Sequence, residues 1–192
     1  MQSFHLAPLA MALSLAACAS NKEFARQLAG EGPDAIDPAG VTVAVQPPTG
    51  LAIPSKGARL TLAAEDATGW AVSEEFVLVI DEDATAPGLP EGESITALSL
   101  APSDMARFRE TARIVGRREL DAPEDVRGSF AASVDPCLVD ERIAPSGPLL
   151  VYLRFAENRP YRLLRREADF VDQLTRARGA ANALPRCPTP GG

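Results

Sequence analysis

Short stretches in which apolar and polar residues alternate recur along the chain from residue 41 onwards. In 41–46 (VTVAVQ) valine occupies every second position, and in 58–65 (ARLTLAAE) Leu60 and Leu62 alternate with polar or small residues, which is the period of a strand with one buried face. Similar patterns predict further strands at 68–72, 75–81, 94–100 and 129–134 and a hairpin over 147–167. The nearly continuous apolar run at 75–81 predicts a central strand buried on both faces.

Two later segments have the period of a helix instead. Pro102 suits a first helical turn, and residues 102–118 and 167–184 each carry apolar side chains at three- and four-residue steps. These residues are Met105, Phe108, Ala112 and Val115 in the first segment and Phe170, Val171, Leu174, Ala177 and Ala181 in the second. We therefore expect an α+β fold, with a mostly antiparallel sheet of about seven short strands and two helices. An Ig-like β-sandwich with added helices is the alternative.

The N-terminal segment carries an apolar run, residues 4–17, without a charged side chain. This run is shorter than the roughly 20 residues that a helix needs to span a hydrocarbon core, and it is typical of a secretory signal. It ends in Leu15-Ala16-Ala17-Cys18, which resembles the lipobox of bacterial lipoprotein signal peptides. Two other interpretations stay open: plain secretion with cleavage after Ala19, and a buried N-terminal helix.

The lipobox resemblance implies a lipid anchor at Cys18. The thiolate of a lipobox cysteine accepts a diacylglyceryl group, a peptidase cuts before it, and the new amine is acylated, for example with palmitate. Two or more acyl chains hold a protein stably to a bilayer. Ala19 after the cysteine resembles the default for outer-membrane lipoproteins, so the resemblance implies an envelope protein that faces the periplasm.

This interpretation divides the chain into three parts. We expect a signal peptide at 1–17, a lipidated N-terminus with a flexible tether at 18–40, and a single periplasmic domain at 41–192. Cys137 and Cys187 then remain as the cysteines of the domain, and an even number of cysteines in an oxidising compartment predicts a disulfide. Two unpaired thiols are the alternative.

The sequence names no catalytic residue, cofactor or metal site. The chain has one histidine, His5, inside the expected signal peptide, so the mature protein would lack the imidazole of Ser-His-Asp, Cys-His and zinc hydrolase sites. Lys56 is the only lysine outside the N-terminal region, in a turn-like segment. No glycine-rich phosphate-binding motif is present.

Arginines are concentrated near the predicted hairpin. Residues 18–101 are strongly acidic, whereas 102–192 carry slightly more basic than acidic side chains, and the net charge is −7. The candidate binding residues are Arg154, Arg159, Arg162, Arg165 and Arg166. Guanidinium groups bind carboxylates and phosphates bidentately, so an envelope protein or peptidoglycan is the expected partner. The acidic net charge argues against nucleic acid.

Acidic and aromatic residues supply the alternative function, a small carboxylate-based hydrolase or carbohydrate-binding module. Two carboxylates across a cleft can cleave a glycosidic bond, and Trp70, Tyr152 and Tyr161 are candidates to stack on sugars. The run from Asp81 to Asp83 could bind Ca²⁺, but successive strand residues point to opposite faces. The sequence favours a non-catalytic binding or assembly role over these alternatives.

Overall fold

The computed structural model describes residues 22–30, 36–81, 95–123, 125–157, 159–178 and 184–188. It contains three α-helices, a 3₁₀ turn at Pro38–Gly40 and nine β-strands within these ranges. The helices are α1 (Lys22–Ala29), α2 (Met105–Asp121) and α3 (Phe170–Arg178). The strands are β1 (Thr42–Gln46), β2 (Leu51–Ala52), β3 (Ala58–Glu65), β4 (Ala71–Ile80), β5 (Thr96–Leu100), β6 (Arg127–Val134), β7 (Cys137–Leu138), β8 (Leu149–Arg154) and β9 (Arg162–Glu167).

Seven of the strands form one sheet in the order β6-β3-β4-β5-β1-β8-β9. Every neighbouring pair is antiparallel, and β2 pairs with β7 in a separate two-stranded ladder. The predicted α+β fold is therefore confirmed. The Ig-like alternative is wrong, because the core lies between a single large sheet and a helix rather than between two large sheets.

One face of the sheet and α2 enclose the main hydrophobic core. Phe108 of α2 is fully buried, and its ring contacts that of Phe76 on β4 at a centroid distance of 5.2 Å. Phe130 on β6 contacts Phe155, which directly follows β8, also at 5.2 Å. Because β6 and β8 lie near opposite ends of the strand order, this contact requires the sheet to curl around α2.

Helix α1 lies inside the stretch that the sequence predicts as a tether. Its Leu28 and Ala29 are buried, Leu28 belongs to the main core, and α1 packs against α2. The backbone N–H of Ile36 donates to the carbonyl of Gln27 at 3.0 Å. Within the described residues, α1 is therefore packed on the domain although it lies before Val41, because the apolar side of this short helix contacts α2.

Strand β4 differs from its prediction in length and burial. The expected strands at 68–72 and 75–81 form one strand, Ala71–Ile80, and Trp70 lies in the turn before it. Phe76 and Leu78 are buried, whereas Val77 and Val79 on the opposite face are half-buried. The prediction that both faces are buried is therefore wrong, since among the described residues α2 covers the face of β4 that carries Phe76 and leaves the other face partly exposed.

The two predicted helices are present with different limits. Helix α2 begins at Met105 rather than at Pro102. The carboxylate of Asp104 does not cap it but accepts the backbone N–H of Val77 at 2.7 Å, which ties the start of α2 to β4. Helix α3 ends at Arg178, and the rest of its predicted range, 179–183, lies outside the described residues.

The segment at 184–188 is attached to β7. The structure places the Sγ atoms of Cys137 and Cys187 at 2.03 Å, and the backbone N–H of Cys187 donates to the carbonyl of Leu138 at 2.9 Å. Beside this contact lies a small apolar cluster, which β2, β7, α3 and the C-terminal segment build together. Its members are Leu51, Leu138, Phe170, Leu174 and Leu184. Helix α3, which follows β9, is thereby held against the body of the domain.

Candidate functional site

Strand β9 lies at one end of the seven-stranded sheet. In the part of the chain that the structure describes, it pairs with β8 alone, so its other edge carries backbone groups without a ladder partner. This strand and the turn before it carry four of the five arginines that the sequence predicts as a binding patch. The structure divides the five into two groups with different environments.

Arg154 is a buried structural residue, and its assignment to a surface patch is wrong. The residue is 6% exposed, its Nε donates to Oγ1 of Thr42 at 3.0 Å, and its guanidinium lies 4.8 Å from the ring centroid of Tyr161. Burying a guanidinium requires hydrogen bonds and a stacking surface of this kind. Tyr161 is buried too, so the structure does not offer its ring to a sugar.

The side chain of Arg165 is also hydrogen-bonded within the protein. Its Nε donates to Oε1 of Glu167 at 2.6 Å, and its side chain is 11% exposed. The Nε2 of Gln173 donates to the other carboxylate oxygen of Glu167 at 3.0 Å. Glu167 therefore joins β9 to α3, and the charge of Arg165 is neutralised locally.

Arg159, Arg162 and Arg166 form the exposed group, which we call the arginine edge. In the described part of the chain, the guanidinium groups of Arg162 and Arg166 make no hydrogen bond or ion pair. Arg159 lies in the turn before β9, where its backbone N–H donates to the carbonyl of Ala156 at 3.0 Å. Leu163 is 54% exposed between these residues. Within the described residues, the arginine edge thus combines the unpaired guanidinium groups of Arg162 and Arg166, an exposed apolar side chain and a strand edge without a ladder partner.

The register of β9 directs its free arginines to different faces of the sheet. Arg162 lies opposite Leu153, which belongs to the main core, whereas Arg166 lies opposite Leu150, which packs on the other face. A bulge displaces the register between Val151 and Tyr152 of β8. Four residues in an uninterrupted strand would bring both arginines to one face, and the bulge changes that relation.

A shallow groove of about 270 Å³ lies at the far end of the sheet from β9. It is open to solvent and is lined by Glu65, Asp66, Ala67, Asp125 and Arg127. Glu65 and Arg127 lie opposite each other in the β3–β6 ladder. Among the described residues, this groove is the candidate location for the alternative, carboxylate-based function.

Asp66 is fixed in its charged form at this groove. Its Oδ1 accepts the hydroxyl of Thr68 at 2.6 Å and the backbone N–H of Thr68 at 2.8 Å, and Arg118 donates to its Oδ2 from Nε at 2.7 Å. Hydrogen bonds from the side chain of Thr68 and from Arg118 lower the pKa of Asp66 to about 2. A carboxyl group with this pKa carries no proton to donate at neutral pH.

The ring of Trp70 is not open for stacking on a sugar. The residue is half-buried and packs against the main core, and the guanidinium of Arg118 lies over its ring, 5.6 Å from the centroid. The backbone N–H of Trp70 donates to Asp66 at 3.2 Å. The aromatic face is thus part of the same structural unit as the buried carboxylate.

Two further predictions concern residues at the limits of the described structure. Cys18 lies outside the described residues, as do Glu82 and Asp83 of the acidic run. Asp81 directly follows β4, and its backbone N–H donates to the carbonyl of Ala97 at 3.0 Å. The described residues contain no group of three His, Cys, Asp or Glu side chains placed to hold a metal ion.

None of the helices in the described ranges is both long enough and apolar enough to cross a membrane. Comparison with models of protein families, with curated proteins and with solved structures finds no match to this chain. The function must therefore be argued from the residues and the geometry alone.

Sequence reasoning missed the unit formed by Asp66, Thr68, Trp70 and Arg118. Part of it has a local signal, because an aspartate two residues before a threonine and close to a glycine favours an Asx turn. Arg118 has no such signal. Its position is separated from Asp66 by 52 residues, and only the packing of α2 against the sheet brings the two together.

Proposed function

We propose that this chain is a lipoprotein of the bacterial cell envelope that acts by binding an anionic partner at the arginine edge. Its N-terminal sequence supports lipidation at Cys18, with the folded domain facing the periplasm from the outer membrane. The partner is an envelope protein or peptidoglycan, and no catalytic step is assigned to the domain.

The observation that carries the binding function is the state of Arg162 and Arg166. The chain has 26 acidic and 19 basic residues other than histidine, and most described arginines on the rest of the surface have a carboxylate partner. Within the described residues, the guanidinium groups of Arg162 and Arg166 have no carboxylate partner, although the chain has more acidic than basic residues. Exposed guanidinium groups without internal partners can bind carboxylates or phosphates without first breaking an internal contact.

The carboxylate groove supports the alternative less well. A hydrolase of the two-carboxylate type needs one carboxyl group that holds a proton near neutral pH, and the hydrogen bonds at Asp66 move its pKa the opposite way. Trp70, the natural sugar platform beside this groove, is covered by Arg118. A carbohydrate-binding module would need a face of this ring to be open.

Fatty-acid labelling in cells tests the anchor. We expect the wild-type chain to incorporate an alkyne-labelled palmitate and to fractionate with the outer membrane. The Cys18→Ala variant should accumulate as an unprocessed, unlabelled precursor. Equal labelling of the two proteins would contradict lipidation at Cys18.

Crosslinking in cells tests the binding function. Formaldehyde treatment should join the wild-type lipoprotein to a defined partner, and Arg162→Gln/Arg166→Gln should lose that product. Arg113→Gln/Arg142→Gln removes the same charge from two exposed arginines at other places and should keep it. Loss of the product in both double variants, or in neither, would contradict a binding role for the arginine edge.

A further inference from the structure

We propose that the partner of the arginine edge is an extended, acidic polypeptide segment that adds to β9 as an eighth strand of the sheet. This inference rests on the proposed binding function and names the conformation and chemistry of the partner. It is argued from the free edge of β9, from the directions of Arg162 and Arg166, and from the exposure of Leu163.

The backbone of β9 supplies the first argument. β9 is six residues long and ends the sheet, with β8 as its ladder partner among the described residues. An edge strand presents a row of N–H and C=O groups that another extended chain can satisfy. Main-chain hydrogen bonds would supply affinity, and side chains at alternate positions would supply specificity.

The directions of the arginines supply the second argument. Arg162 lies opposite a residue of the main core and Arg166 opposite a residue of the other face, so their side chains flank the strand on both faces. A flat anionic bilayer meets the cations of only one face at a time. An added strand also alternates its side chains between two faces, so acidic residues on its two faces, spaced along the strand as Arg162 and Arg166 are along β9, would reach both arginines.

The charges also select against a second copy of this chain. Antiparallel pairing of β9 with another β9, centred on the strand, would bring Arg162 and Arg166 of the two chains close together, and like charges placed close together across a strand pair are destabilising. Carboxylates in the added strand would give bidentate ion pairs instead. The exposed side chain of Leu163 would gain an apolar neighbour on the same face.

Peptide binding to the full-length protein in detergent micelles tests this inference. The probe is a fluorescent, blocked ten-residue peptide of alternating Thr and Val with two Glu-Glu pairs. One control peptide has Gln for every Glu, and a second keeps Glu but is N-methylated at alternate amides, which removes the strand hydrogen bonds. Fluorescence anisotropy gives each dissociation constant for the wild type and the two double-glutamine variants.

The inference predicts a specific pattern of affinities. The acidic peptide should bind, and Arg162→Gln/Arg166→Gln should weaken it about five- to tenfold, because two exposed ion pairs are lost. Arg113→Gln/Arg142→Gln should bind as the wild type does. The Gln peptide should bind more weakly than the acidic peptide, and the N-methylated peptide should not bind measurably.

Four results would overturn strand addition. Equal binding of the N-methylated peptide would show a purely electrostatic contact and would leave the proposed function standing. Tighter binding of phosphatidylglycerol vesicles than of the peptide would assign the edge to lipid phosphate.

A concentration-dependent dimer in sedimentation, lost in Arg162→Gln/Arg166→Gln, would assign the arginine edge to a second copy of this chain. Aggregation of that variant without peptide binding to the wild type would assign the arginines to edge protection. Loss of the anchor would instead contradict the proposed function itself.

Discussion

Arginines have different environments in two regions of the molecule, the contact between α2 and β4 on the one hand and the arginine edge on the other. At the α2 contact, Arg107 donates from Nη1 to Oε2 of Glu74 and from Nη2 to the carbonyl of Glu75, both at 2.6 Å. Its guanidinium lies 4.5 Å from the ring centroid of Phe76. Arg118 is committed to Asp66 in a similar way. At the arginine edge, by contrast, two guanidinium groups have no internal partner.

This difference indicates that the charged contacts which stabilise α2 are separate from the surface for which we propose a binding role. Charged networks help to hold α2 on the sheet. The β9 end is held by the apolar cluster around Leu138, by the Glu167 contacts to α3 and by the bond between Cys137 and Cys187. Arg162 and Arg166 take no part in these contacts. They are therefore available to another molecule.

The disulfide should have the largest effect on stability. Cys137 and Cys187 are separated by 50 residues, and closing a loop of this size stabilises by about 4 kcal/mol on the chain-entropy model. Cys137→Ser/Cys187→Ser should lower the free energy of unfolding in urea by up to this amount. Reduced wild-type protein should unfold at the same urea concentration as the variant. Identical unfolding of oxidised wild type and variant would contradict a structural bridge, as would identical migration on a non-reducing gel.

Arginine substitutions compare the two regions directly. Arg107→Ala should lower the free energy of unfolding by about 2 kcal/mol, because it removes two hydrogen bonds, an ion pair to Asp104 and the contact with Phe76. Arg162→Ala/Arg166→Ala should change it by less than about 0.5 kcal/mol. Chemical denaturation measures both. A loss at the arginine edge equal to that at Arg107 would mean that the two regions do not differ.

Acid should weaken the Asp66 unit. The folded pKa of Asp66, about 2, lies below its ordinary value of 3.8, so its stabilising contribution is complete above pH 4 and is lost as the pH falls from about 4 towards 2. Asp66→Asn should be less stable than the wild type at pH 7, and the difference should shrink across this window. A difference that stays constant down to pH 2 would show that the charge of Asp66 does not contribute.

Substitution of Glu119 should give a small effect of the opposite sign. Glu119 is buried on α2, its carboxylate has no hydrogen bond or ion pair within the described residues, and burial raises its pKa above 4.5. Its charged form therefore destabilises the fold, and this cost disappears as the pH falls through the folded pKa towards 4.5. Glu119→Gln should stabilise by less than about 1 kcal/mol at pH 7 and by nothing at pH 4. A lower melting temperature for the variant at pH 7 would contradict this sign.

The sequence predicts the fold class because its signals are local. Alternating residues in β1 and β3 and the three- and four-residue steps in α2 reflect which side chains face the core. The limits of β4 and the packing of α1 are not local properties. They depend on the partners that the sheet and α2 provide, and no pattern of a single segment contains those partners.

The candidate site is predicted only in part for the same reason. The composition of the sequence locates a group of arginines around β8 and β9, but it does not show which of them are buried and which are exposed. Arg154 enters the layer beside Thr42 and Tyr161, and Arg165 meets Glu167. The bulge opposite Val151 and Tyr152 then sets which face each remaining arginine takes, and a single extra residue in a ladder leaves no mark in composition or spacing.

Hydrogen exchange of the native protein tests the proposed role of the arginine edge most directly. Backbone amides of β9 can be compared between protein in isolated outer membranes, where the proposed partner would be present, and protein purified in detergent. The account predicts that amides at 162–167 exchange more slowly in the membranes, while those of the other terminal strand, β6, exchange at the same rate in both. Equal exchange rates of the β9 amides in the two preparations would contradict the binding of a partner at the arginine edge.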